Sequence, residues 1–220
     1  MGIPDNVQAV FFDCYNTLIE IGTDEDDPLT WQMLSSWLSY QGVGIGARDL
    51  MHEYRRTCRE QAVRRGESYP EIDVEAVFVQ ICRDHRLWDL DARRVGRRAA
   101  RTFRAASVRK KRVFPESLRL LEHLRGLPMG IVSNGQRVFS EHELRHLGLR
   151  GYFDVLVFSS DLGFKKPDPR IFVYALEKLG VDPENALFIG DSYRNDILAP
   201  RAIGMHSMFI RDAWGLPDRS

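Results

Sequence analysis

An α/β fold built on a parallel sheet is what this 220-residue chain predicts, on three observations. Short apolar runs, each long enough for one strand, alternate with helix-periodic stretches, the order expected of βαβ units. The runs are continuously apolar, as strands covered on both faces are. Four successive strands are followed by polar, chemically useful residues, which open α/β sheets gather at the carboxyl edge where ligands bind.

The first strand is read at residues 7–12, ending in Asp13, with Thr17 in the following turn. After the acidic loop Asp24-Glu25-Asp26-Asp27, Pro28 opens a helix whose apolar positions are Leu29, Met33, Leu34, Trp37 and Leu38. Gly42, Gly44 and Gly46 break it. Helices follow over 47–65, 73–84 and 91–106; the last sets Ala92, Val95, Ala99, Phe103 and Ala106 on one face and arginines on the others. No strand is legible in this stretch, so an all-helical insert is expected.

From Phe114 the texture changes. Pro115 starts a helix to about 125, and 128–132 is a strand ending in Ser133-Asn134-Gly135. A helix to Leu147 is stopped by Gly148. The strand 153–158 leads to Lys165-Lys166-Pro167-Asp168-Pro169, and a helix over 170–179 ends at Gly180. The strand 186–189 ends in Gly190-Asp191, a helix covers 194–203, and 207–210 is the last strand. Pro200 either kinks that helix or occupies its first turn.

An apolar fraction of 44% suits a chain that buries a core, and a formal net charge of zero gives no general affinity for nucleic acid or membrane. The charge is uneven, with twelve Lys and Arg against three Asp between Arg83 and Arg112. Within it, the Arg-rich face from Arg93 to Arg104 is read as a solvated helix face before an acidic-partner surface. Three cysteines without metal-ligand spacing, no secretory leader and no membrane-length apolar run point to a cytoplasmic protein.

The polar clusters at the sheet edge are Asp13 with Thr17; Ser133 with Asn134; Lys165 with Lys166; and Asp191 with Asn195 and Asp196. A nucleophilic carboxylate, hydroxyl and amide donors, a fixed cation and two further carboxylates are what phosphoryl transfer from a monoester needs. Three converging carboxylates would repel one another without a cation, and Mg²⁺ takes oxygen ligands of this kind. The expected substrate is a small, anionic molecule, and the chain a monomer or homodimer.

With these clusters in this order the chain resembles the haloacid dehalogenase-like hydrolase superfamily. The resemblance is carried by Phe11-Phe12-Asp13-Cys14-Tyr15-Asn16-Thr17-Leu18, Ile131-Val132-Ser133-Asn134-Gly135, Lys166-Pro167-Asp168-Pro169 with Phe172, and Gly190-Asp191-Ser192-Tyr193-Arg194-Asn195-Asp196. It implies a Rossmann-like catalytic core over 1–22 and 101–220, strand order 5-4-1-2-3, and a helical cap over 23–100. It implies Asp13 as nucleophile, Ser133 and the next backbone amide as phosphate binders, and Lys166 as charge stabiliser. Asp191, with Asp196 beside it, would hold Mg²⁺ together with Asp13 and the Tyr15 carbonyl.

One departure matters. Phosphatases of this superfamily usually carry a second Asp two residues after the nucleophile, as general acid and base, and here that position is Tyr15. Asp-x-Tyr-x-Thr resembles instead the metal-free 2-haloacid dehalogenase branch, whose halide leaving group needs no proton. The acidic pair at 191 and 196 departs from that branch, as does Phe172 where it carries Tyr. A Mg²⁺-dependent phosphatase is therefore expected first, a dehalogenase second, and a degenerate binding or regulatory protein third. His142 and His146, four apart on a helix, are read as surface residues.

Overall fold

The computed structural model describes residues 2–216. In chain order the elements are β1 (Ala9–Phe12), β2 (Ile19–Thr23), α1 (Pro28–Tyr40), α2 (Ala47–Arg65), α3 (Val74–Asp84), α4 (Ala92–Ser107), β3 (Val108–Val113) and α5 (Pro115–His123). They continue as β4 (Met129–Ser133), α6 (Arg137–His146), β5 (Val155–Phe158), α7 (Ser159–Leu162), α8 (Pro169–Leu179), β6 (Ala186–Gly190) and β7 (His206–Phe209), with single helical turns between. The chain divides into two units, Gly22–Lys110 and the segments on either side of it.

The outer segments form one five-stranded parallel sheet in the order β5-β4-β1-β6-β7. Numbered as five core strands in chain order, and read from the β7 edge, this is the expected 5-4-1-2-3. The strand β1 lies at the centre, with Phe11 opposite Gly130 on one side and Phe188 on the other. Every residue of β1, β4 and β6 is buried, because helices cover both faces. Alternation along β1 sends Val10 and Phe12 into one apolar cluster, with Ile131, Leu187 and Ile189, and Ala9 and Phe11 into another, with Val132, Phe172 and Phe188. Each fully buried phenylalanine contributes on the order of 1.5–3 kcal/mol over an exposed one, so the strands that end at the site are held from both sides.

The unit Gly22–Lys110 is built on α1–α4. Aspartates accept hydrogen bonds from the first-turn amides of three of these helices, Asp27 from Leu29, Asp73 from Ala76 and Asp91 from Arg94. Its core is aromatic: the rings of Trp31, Tyr54, Phe78 and Phe103 stand 5.0–5.6 Å apart in five pairs. Gly96 lets α4 touch α3, since a Cβ there would lie 2.6 Å from the backbone of Val79.

Two expectations are corrected. The stretch 23–100, expected to be all-helical, holds α1–α4 and no strand residue beyond Thr23, while β2 and β3 pair as a two-stranded sheet that flanks it. Both strands are partly exposed, and β3 carries Arg109-Lys110-Lys111-Arg112, which reads as a solvated run. Arg112 pairs with Glu20, so part of that charge is compensated across the two strands. The unit boundary falls after Lys110 and not at 100, since α4 runs unbroken to Ser107. The helix expected over 194–203 is a wide π-type stretch, Tyr193–Leu198, followed by the short turn Ala199–Arg201. Pro200 sits in the first positions of that turn, where its missing amide is tolerated.

Candidate active site

Asp13 follows β1 directly and is 7% exposed. Its amide donates to the Ile189 carbonyl of the neighbouring strand at 2.9 Å, which fixes the backbone at the strand exit. Thr17, fully buried, donates to Asp13 Oδ2 at 3.4 Å. The loop between them turns through Asn16 in the left-handed region, φ 59°. Ser117, on the first turn of α5, donates to the Thr17 carbonyl at 2.6 Å and accepts from Trp214 Nε1 at 2.9 Å. That chain braces the far end of the loop.

Lys166 is 3% exposed and stands between two carboxylates. Its Nζ donates to Asp13 Oδ1 at 2.8 Å and to Asp196 Oδ1 at 2.7 Å, and lies 5.1 Å from the centre of the Phe188 ring. Burial pulls the ammonium pKa down, but the two carboxylates outweigh it and hold the group above its usual range. Asn134 fixes the lysine's backbone, its Nδ2 donating to the Lys166 carbonyl at 3.0 Å while its Oδ1 accepts from the Lys166 amide at 2.7 Å. The Asn134 side chain is thus committed to the Lys166 backbone, which leaves the expected role of its backbone amide untouched. Asp168 caps α8 immediately beyond, accepting from the Arg170 amide at 3.0 Å.

Asp196 is 1% exposed; its second oxygen accepts from the Ser192 amide at 2.9 Å. Gly190 makes room for it, since a Cβ there would lie 2.5 Å from Asp196 Cβ and Cγ. Asp191 is exposed, yet its pKa is pushed up to about 6, first by desolvation and then by the charges of Asp13 and Asp196. The Asp13 carboxyl is likewise raised, by burial above all, with Lys166 opposing and Asp196 adding to it. Ser133 ends β4, buried, and β4 is the parallel neighbour of β1, so the two residues leave the same sheet edge. His142 and His146 are exposed on α6.

Ligand oxygens of Asp13, Asp191 and Asp196 lie within 4.8 Å of one another, and no other group of three or more His, Cys, Asp or Glu does so among the described residues. Three carboxylates facing one ammonium leave two negative charges uncompensated. The donors are oxygens, with no thiolate or imidazole among them, so the set fits a hard divalent cation such as Mg²⁺.

Tyr15 holds a contact that the sequence did not reveal. Its hydroxyl donates to Glu143 Oε2 at 2.7 Å and shares a hydrogen bond with Ser140 Oγ at 2.9 Å, both on α6. Glu143 is 2% exposed and Ser140 fully buried. The phenol is therefore committed to α6. The one legible signal was a carboxylate on the apolar side of α6, between Phe139 and Leu144; the partner it needs comes from 128 residues away.

Comparison with known proteins follows the same lines. A family model described as haloacid dehalogenase-like hydrolase matches residues 7–204. The glyceraldehyde 3-phosphate phosphatase of Methanothermobacter thermautotrophicus is 35% identical over 101 residues, 45% of this chain and 45% of that protein. A HAD phosphatase from Thermococcus onnurineus superposes with a TM-score of 0.57 at 26% identity, covering 92% of this chain and 86% of that one. A 2-haloacid dehalogenase from Pseudomonas syringae pv. Tomato does so with a TM-score of 0.62 at 25% identity and the same coverage. The matched segment spans less than half the length of the curated relatives.

Proposed function

The chain belongs to the haloacid dehalogenase-like hydrolase family, and from that premise we propose a Mg²⁺-dependent phosphatase of a small phosphorylated metabolite, with Asp13 as nucleophile. The observation that carries the reading is the convergence of Asp13, Asp191 and Asp196 on one point beside a single lysine. A metal-free displacement has no use for two extra carboxylates, whose mutual repulsion is costly without a cation.

An oxygen of Asp13 forms the new bond to phosphorus as the ester oxygen leaves with the electron pair of the broken bond. Water then hydrolyses the aspartyl phosphate and restores the carboxylate. Lys166 stabilises the charge on the phosphoryl oxygens, aided by the Ser133 hydroxyl and the Asn134 backbone amide. Mg²⁺, held by Asp13, the Tyr15 carbonyl and Asp191 with Asp196 in support, would supply further neutralisation of the phosphate and keep Asp13 ionised. The Tyr15 hydroxyl donates its hydrogen bond to Glu143, so it is not directed at the leaving group. Substrates whose leaving oxygen is already a stable anion are therefore favoured over alkyl esters.

A 2-haloacid dehalogenase is the second reading, favoured by the same tyrosine. One assay separates them: an aryl phosphate and a short 2-haloacid, each tested with Mg²⁺ and with chelator. The phosphatase reading expects turnover of the phosphate alone, lost in chelator. Metal-independent turnover of the haloacid would replace it with the second reading.

A further inference from the structure

A groove of about 1130 Å³ opens within the unit Gly22–Lys110, lined from α2, α3 and α4. Its charge is lopsided. Among the lining residues Arg56 and Arg64 pair with Glu60, at 2.9 and 3.5 Å, and Arg97 pairs with Glu75 at 2.9 Å. The remaining acids have other duties: Asp73 and Asp91 cap α3 and α4, and Asp84 accepts the Gln80 amide at 2.8 and 2.9 Å. That leaves Arg83, Arg93, Arg94, Arg98 and Arg101 on the groove with no ion pair among the described residues.

The backbone gathers these charges. Ala92, Val95, Gly96, Ala99, Ala100 and Phe103 form the buried face of α4, which turns its arginines outward. Residues 94 and 98, and likewise 93, 97 and 101, then follow each other at about 6 Å along the axis. The close approach at Gly96 keeps α4 against α3, from which Arg83 also lines the groove. Guanidinium groups on one groove carry like charge, and phosphate oxygens are the groups their planar forks bind bidentately.

We propose that this groove is a binding site for a multiply phosphorylated small molecule, held by Arg83, Arg93, Arg94, Arg98 and Arg101. Its volume lies above the roughly 300–1,000 Å³ common for small-molecule pockets, enough for several phosphates together. Nucleic acid fits less well. No aromatic residue lines the groove to stack a base, and five carboxylates interrupt the positive surface a continuous strand would follow. The site uses none of the residues of the carboxylate cluster, so it stands or falls independently of the reaction assigned above.

Titration calorimetry of the full chain with inorganic tripolyphosphate tests it, in chelator so that no cation draws the anion to the carboxylates. One saturable site is expected. The combined variant Arg94→Gln, Arg98→Gln and Arg101→Gln should weaken it roughly ten-fold or more, since three charge-assisted contacts go. The same variant should melt as the parent does, because glutamine keeps the helix propensity and these side chains carry no ion pair. Arg119→Gln, an exposed arginine on α5, should bind tripolyphosphate as the parent does. Non-saturable binding by the parent, or equal affinity in the combined variant, overturns the proposal. So does a short oligouridylate that binds more tightly than tripolyphosphate and loses that affinity in the same variant, which would make the groove a nucleic-acid surface.

Discussion

Asp13 and Tyr15 sit two residues apart, yet their surroundings divide them sharply. The carboxylate faces Lys166 and two further aspartates, while the phenol is bound to Ser140 and Glu143 on α6. Asp13→Asn should abolish turnover, because an amide cannot form the covalent intermediate. Lys166 keeps Asp196 as its partner, so the variant should stay folded by circular dichroism; measurable turnover by a folded variant would remove Asp13 from its role. Tyr15→Asp is the companion test, made with Glu143→Gln so that two carboxylates do not meet in the buried contact. Alkyl phosphate turnover should rise by up to about 10²-fold, the low end of what a positioned general acid contributes. If the chain were a dehalogenase, the new charge beside a halide site would lower haloacid turnover instead. The rates of the two substrates, measured side by side, give opposite signs for the two readings.

The elements explain why these groups are held where they are. Parallel pairing of β4, β1 and β6 brings Ser133, Asp13 and Asp191 to one edge, although they are far apart in the chain. In the helical unit the contact between α3 and α4 depends on one missing side chain. Gly96→Ala would gain about 0.8–1 kcal/mol of helix propensity. It would also press a methyl group onto the Val79 backbone at 2.6 Å, which cannot rotate aside, at a cost of about 1–3 kcal/mol. The second effect should win, and denaturant unfolding should show a net loss of stability. A variant as stable as the parent would mean that α3 and α4 separate without penalty.

At the scale of the molecule, the net charge is zero, and no helix among the described residues is long and apolar enough to cross a membrane. On the proposed function, the carboxylate cluster would link folding to cation binding. A ligand that binds the folded chain alone stabilises it, by about 2.7 kcal/mol at a hundred times its dissociation constant. Mg²⁺ should therefore raise the melting temperature of the parent, and chelator should reverse the rise. Asp191→Asn should melt at the same temperature with and without Mg²⁺, since it removes an exposed carboxylate from the cluster. An equal rise in the variant would place the ion elsewhere.

The sequence by itself determined the parallel sheet, its edge of polar residues and the membership that Asp13, Lys166, Asp191 and Asp196 suggest, because these signals are local. Continuous apolar runs ending in charged residues can be read a few positions at a time. The four acids and bases could also be listed from motifs, but not their partners. That Asn134 serves the Lys166 backbone and that Gly190 clears space for Asp196 depend on chain segments meeting in space. The pairing of β2 with β3 was hidden for the same reason. Neither strand buries both faces, so neither leaves a period in the sequence, and each becomes a strand only beside the other. Tyr15 is the clearest case: its identity was legible, but only the packing of α6 decided that its hydroxyl serves Glu143, because a buried carboxylate requires a donor and the fold supplies this one.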